Sequence, residues 1–173
     1  MLHRRLLVVL ALACAVPAMP LTALTGLPPS ERLRPQSAFV AALLDEALAR
    51  SPTTRALVER VRAGDVIVYV ETGRQLDSSL SACVTWMNAG PDARFLRVTL
   101  RLGMRRPDAV AMLAHELQHV VEVIDHPEVR SREGLIALYR AIGHRTSYDN
   151  AHWDTVAAVR AGIVAKSEVM ASA

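Results

Sequence analysis

The chain reads as an α+β domain, with a small antiparallel sheet packed on helices. Three observations predict this. Apolar residues recur at helical spacing over residues 37–62 and again after residue 107. Between those stretches lie three runs rich in β-branched or alternating apolar residues. The last two runs are joined by a turn too short for a crossover connection, so they pair antiparallel.

Length and composition agree with one such domain. The chain has 173 residues, 51% hydrophobic and 21% charged. That is enough to bury a core, and too apolar for intrinsic disorder or a low-complexity array. Aromatic residues make up 4%, so the core must be built from Leu, Val and Ala, and few faces remain for stacking bases. Lys166 is the single lysine among 20 basic residues, and the arginines are scattered without forming a stripe. No nucleic-acid partner is expected.

The elements follow in order. Met1 to Arg5 is basic, Leu6 to Ala13 is continuously apolar, and Ala13-Cys14-Ala15 is a small-residue cleavage pattern. This order predicts a signal peptide over residues 1–15 and an exported product, periplasmic or secreted. Loss of Arg4 and Arg5 with the leader brings the formal charge from +3 to +1. An alternative reading makes Cys14 a lipid-attachment site and the product a membrane-anchored lipoprotein. No run reaches the ~20 apolar residues a spanning helix needs, so no membrane span is expected. With Cys14 removed or lipidated, Cys83 is left without a disulfide partner and reads as a small core residue. Residues 16–36 hold Pro17, Pro20, Pro28, Pro29 and Pro35 and read as a linker or loose arm. The remaining domain spans residues 37–173.

Residues 37–50 form a first helix by periodicity. Ser51-Pro52 caps and opens a second that runs to about Arg62, with Gly64 as its stop. Strands are expected over residues 65–71 (DVIVYVE), 81–88 (SACVTWMN) and 93–102 (ARFLRVTLRL), the last two separated by Gly90-Pro91-Asp92. A third helix occupies about 107–124, a fourth 131–142 with Gly143 as its stop, and a fifth runs from about Asp154 to Val169.

The third helix carries the sequence Ala114-His115-Glu116-Leu117-Gln118-His119. Positions four apart lie ~40° apart around a helix and ~6 Å along it, so His115 and His119 can aim their rings at one ion. Two histidines and one further oxygen donor leave a tetrahedral Zn2+ with an open position. Glu116 points ~100° away from His115, beside such an ion, where a carboxylate can take and return a proton.

HELQH is the HExxH pattern, and the chain resembles the zincin metallopeptidases over about 60 residues, from the Ala93 strand through this helix. A looser likeness, to uncharacterised exported bacterial proteins with an HELxHxxE helix, spans most of the mature chain. The zincin resemblance implies a zinc-dependent hydrolase cleaving peptide bonds of a peptide or protein substrate with a zinc-activated water, with Glu116 as catalytic base. It also implies a strand beside the site that pairs with extended substrate, for which residues 94–102 are the candidate. The alternative function is a non-catalytic metal-binding or interaction module built on the same helix, lipid-anchored in one version.

The third metal donor is open at this stage. The metzincin extension would place Asp125 last, but Glu122 stands where that family has its turning glycine, and a continuing helix would face Asp125 away. Glu122 lies on the histidine face and reads either as a ligand or as an outer partner holding His119. Gluzincins draw the third carboxylate from a later helix. Asp154 matches that arrangement in kind, and reads equally as the N-cap of the last helix. Glu133 ranks below both. Tyr148, His144, Arg145 and His152 lie in the segment before the last helix as candidate transition-state donors. His126 and Tyr139 have no better case, and Trp86 and Trp153 read as packing residues.

Overall fold

The computed structural model describes residues 32–73, 80–145 and 153–172. The leader, Cys14 and most of the Pro-rich segment lie outside the described residues, as do residues 146–152. The elements run β1 (Leu33–Pro35), α1 (Ala38–Arg50), α2 (Pro52–Ala63), β2 (Val66–Gly73), β3 (Ala82–Ala89), β4 (Arg94–Arg101), α3 (Arg106–Ile124), α4 (Arg132–Ile142), β5 (His144–Arg145), β6 (Trp153–Asp154) and α5 (Val156–Ala171). The class is α+β, with five helices and a small sheet among the described residues.

Local chemistry starts three of the helices, with Ser51 as the expected cap. Ser37, Ser51 and Ser131 accept hydrogen bonds from Val40, Thr54 and Gly134 backbone N–H groups, so each satisfies a donor that the first turn leaves unpaired. The last helix differs from expectation. Its cap is Thr155, and Asp154 lies outside it in β6.

The sheet also differs from the expected all-antiparallel one. Its order is β1-β2-β4-β3, with β1 parallel to β2, β2 parallel to β4 and only β3 antiparallel to β4. The tight turn at residues 90–92 does fold β3 back on β4. However, β4 then inserts between β3 and β2, and α1–α2 form the long connection that lets β1 and β2 run parallel. Residues 33–35 are therefore a packed edge strand and not part of an arm. Leu33 is buried, and the flanking backbone bonds Val68 N–H to Arg32 O and Gln36 N–H to Val70 O close the ladder. Pro35 is tolerated there because an edge strand has one side that needs no donor.

One face of the sheet, carrying Val66, Val68, Val70, Leu96, Val98 and Leu100, is buried in a single core with Leu43, Val58, Leu113 and Leu117 of the helices. Each fully buried Val or Leu contributes about 1.5–3 kcal/mol. Helix α3 lies at the centre, touching β3, β4, α1, α2 and α5. After β4 the chain turns, and Gly103 supplies the left-handed conformation (φ +86°) that lets β4 hand over to α3. No helix among the described residues is long and apolar enough to cross a membrane.

The C-terminal end of α3 is fixed by Arg94, which is 0% exposed. Its guanidinium donates to the carbonyls of Val123 (2.7 Å), His126 (2.8 Å) and Val129 (3.2 Å) and pairs with Asp65 through Nε at 2.9 Å. The last carbonyls of a helix lack internal partners, and here a strand residue supplies them. Arg94→Met should lower stability by about 3 kcal/mol, since it strands Asp65 and the Val129 carbonyl and removes a charged donor from the carbonyls of Val123 and His126. Urea unfolding measures this, and an unchanged midpoint would remove the clamp from the account.

A second link joins α5 to α2. The Glu168 carboxylate accepts from Ser51 Oγ (2.6 Å), Thr53 Oγ1 (2.8 Å) and Thr53 N–H (3.1 Å). Burial acts to raise its pKa, but the bonds from Ser51 and Thr53 outweigh it and hold the carboxyl below the ordinary 4.5. A carboxyl lowered in the fold contributes stability that is fully present above 4.5 and lost as pH falls through the folded value. Glu168→Gln should cost about 1 kcal/mol at neutral pH and flatten the acid limb of the stability profile, as read from urea unfolding across pH.

Candidate metal centre

Helix α3 places His115 and His119 on one face, with ring centroids 4.9 Å apart in an edge-to-face contact. Strand β6 brings Asp154 to that face. Its Oδ1 lies 3.3 Å from His115 Nε2 and 3.5 Å from His119 Nε2. Donor atoms sharing one tetrahedral zinc-sized ion at about 2.0–2.2 Å stand about 3.3–3.6 Å apart. One ligand atom from each of the three residues lies within 4.8 Å of the others, so this group could hold a metal ion.

Two glycines allow the approach. Helix α5 packs so closely on α3 that a Cβ at Gly162 would stand 3.0 Å from Ala111 O and 3.4 Å from His115 Cβ. A Cβ at Gly143 would stand 2.8 Å from the carbonyl oxygens of both Tyr139 and Asp154. Glycine there lets α4 end against the Asp154 backbone, where β5 and β6 pair His144 with Asp154.

Three buried groups orient His119. Glu122 takes its Nδ1 at 2.8 Å, which leaves Nε2 turned toward Asp154. The Thr155 hydroxyl donates to the other Glu122 oxygen at 2.6 Å while accepting the Ala158 backbone N–H at 3.1 Å. The Tyr139 hydroxyl donates to the His119 carbonyl at 3.0 Å, and the two rings meet edge to face at 5.1 Å. Glu122 is thus the outer partner of the two alternatives, and Asp154 is the carboxylate at the histidine nitrogens.

The charges follow from this geometry. Burial alone acts to lower the His119 pKa, but hydrogen bonds to Asp154 and Glu122 overcome it and hold the ring up at about 9. Burial acts to raise the Asp154 carboxyl, and hydrogen bonds to His115 and His119 bring it well below the usual range. Burial pushes the Tyr139 phenol above its ordinary 10, with Glu122 and Glu116 adding to the effect, so it remains a donor. Glu116 is 4% exposed. Burial raises its carboxyl above 4.5, against the pull of both histidines and a hydrogen bond from the Val84 backbone.

A cleft of about 370 Å³ opens over these groups. Its walls are β3, α4 and Trp153, and His115, Glu116, His119 and Asp154 lie at its base. Trp86 and Trp153 pack partly on the core and line the cleft as well. Cys83 corrects the sequence reading. It is a half-buried wall residue, not core, because it lies on the less buried face of an edge strand. The expected substrate strand is also corrected. Both edges of β4 are occupied, by β2 and β3, and the strand lining the cleft is β3.

Asp125, Glu133 and His126 do not line the cleft. Asp125 ends α3 and pairs with Arg60 on the surface, as the helical geometry predicts. Glu133 hydrogen-bonds Ser131 and its own backbone, and His126 pairs with Glu128. His144 and Arg145 are exposed, and Arg145 stacks over Trp153 at 5.5 Å. Tyr148 and His152 lie outside the described residues. Sequence reasoning missed Thr155 and the role of Tyr139. Thr155 had a signal, a cap-forming residue directly before an apolar helical run, but the cap was weighed only for the acid beside it, as one of two readings of Asp154.

Thr155→Val keeps the side chain's shape and removes both of its hydrogen bonds. Zinc affinity, measured by competition with a chelating dye, should fall about 10- to 100-fold, and Thr155→Ser should restore it. Equal affinity in the Val variant would show that the Glu122 link does not orient His119.

No protein-family model, curated protein or solved structure matches the chain, so the geometry of this centre carries its functional reading.

Proposed function

We propose that the chain is an exported, zincin-like, zinc-dependent hydrolase that cleaves peptide bonds. One observation carries this reading. A carboxylate oxygen from β6 sits within 3.5 Å of both HExxH histidine nitrogens, in a cleft that also holds the buried Glu116. His115, His119 and Asp154 would hold the ion. Two imidazoles and one carboxylate suit zinc and leave a fourth position open.

Zinc at this centre supplies Lewis acidity to a peptide carbonyl and to water. The chain's own residues do the rest. Glu116, its carboxyl raised by burial, accepts the proton of the attacking water and passes it to the leaving amine. A carbon–oxygen bond forms at the carbonyl and the carbon–nitrogen bond breaks. Strand β3, the sheet edge beside α3, offers backbone groups along which an extended peptide can lie.

Glu116→Gln should retain about one zinc per chain and lose at least about 100-fold in hydrolysis of quenched fluorescent peptides. His115→Ala with His119→Ala should empty the site by elemental analysis. Hydrolysis surviving in Glu116→Gln would sink the mechanism. Stoichiometric zinc in a wild-type chain that cleaves nothing in a broad peptide library would select the non-catalytic metal-binding module.

A further inference from the structure

We propose that Arg132 reads a carboxylate on the substrate, so that the preferred substrates are peptides with an acidic side chain about three residues from the scissile bond. This rests on the peptidase reading above and names its substrate class.

The charge is placed along the cleft by α4. Arg132, Ile136 and Tyr139 all line it, and their spacing of four and then three residues sets them on one helix face. Tyr139 marks the metal end, since its hydroxyl is bonded to His119. Arg132 lies seven residues toward the N-terminus, ~10 Å along the axis at ~1.5 Å per residue. An extended peptide advances about 3.4 Å per residue, so the same distance spans about three of its residues. Between these two positions α4 presents Leu135 and Ile136 to the cleft, and β3 contributes Val84 and Trp86 to its lining.

The cleft is electrically divided in the same direction. Its described acidic lining residues, Glu116 and Asp154, are both at the metal end. Arg132 is the one arginine or lysine among the described lining residues. Among the described residues no carboxylate stands within ion-pair distance of it. Glu133 feels its charge, but that carboxylate is hydrogen-bonded to Ser131 and to its own backbone. A second guanidinium, Arg145, lies 5.5 Å over the ring of Trp153, another wall residue. A planar guanidinium that lines a largely apolar cleft and meets no carboxylate among the described residues is suited to a substrate carboxylate.

The test uses zinc-loaded Glu116→Gln chain, which binds without turnover, and one fluorescent apolar peptide scaffold with Glu or Gln at each position in turn. Fluorescence anisotropy should show about tenfold tighter binding for Glu over Gln at one position. Arg132→Gln should erase that preference, and Arg132→Glu should turn it toward Lys at the same position. Equal binding of Glu and Gln peptides throughout, or a preference that survives Arg132→Gln, overturns the proposal. Cleavage by the wild-type chain is scored separately. A preference that tracks Arg132 without cleavage upholds carboxylate reading and fails the hydrolase. Cleavage with no such preference does the reverse.

Discussion

The structure depends on burying α3 while that helix carries Glu116, His119 and Glu122 within the buried part of its surface. Glu116, His119 and Glu122 are 4–8% exposed, and apolar positions from Ala109 to Val123 fill the rest of its surface. Taking a carboxylate out of water costs several kcal/mol unless hydrogen bonds replace the lost solvation. Each of these groups is therefore met. Glu122 lies between His119 and Thr155, the His119 carbonyl receives Tyr139, and Glu116 receives the Val84 backbone. The same bonds that make burial affordable also remove rotational freedom from His119, so that orientation of the ring is a consequence of where the helix is packed.

Each partner comes from a different element, which ties the centre to the whole fold. Thr155 is the N-cap of α5, so one hydroxyl oxygen both starts that helix and steadies Glu122. Tyr139 is on α4, Val84 is on β3, and Arg94 of β4 holds the far end of α3 by its carbonyls. The helix is thus held at its C-terminal end by the sheet and along its polar side by the two helices that follow it. A centre assembled in this way is as rigid as the packing beneath it.

How much of this was legible in the sequence follows the range of the interactions. HELQH was legible because helical geometry alone sets His115 against His119, and the Ser51 cap and the Gly64 stop were legible because capping acts within one turn. Asp154 was visible as a candidate, though its placement depends on Gly143 and on the pairing of His144 with Asp154, neither of which has a local signature. What did not read out was long-range. Leu33–Pro35 looks like a proline-rich arm until Val68 and Val70 are there to pair with it. Residues 94–101 alternate like an exposed strand, yet they become central because β2 docks on their second edge, which leaves β3 as the strand at the cleft. Cys83 was misread for the same reason, since an apolar run on an edge strand has one face that the core never covers.

The short acid between the two histidines follows from that long-range packing. Here the carboxylate at the two histidines is an aspartate that precedes the last helix. The backbone of Asp154 is brought against the end of α4, where only a glycine fits at 143, and α5 is drawn onto α3 at Gly162. The Asp154 carboxylate also accepts the Thr155 N–H at 2.7 Å, which fixes its rotamer from its own backbone. With the chain already this near to the histidines, Oδ1 reaches both Nε2 atoms. A glutamate carries one more methylene, about 1.5 Å, and its carboxylate would overrun the point equidistant from the two rings or fold away from the Thr155 amide. Donor length and backbone distance are therefore one quantity in this fold, set by two glycines and a cap.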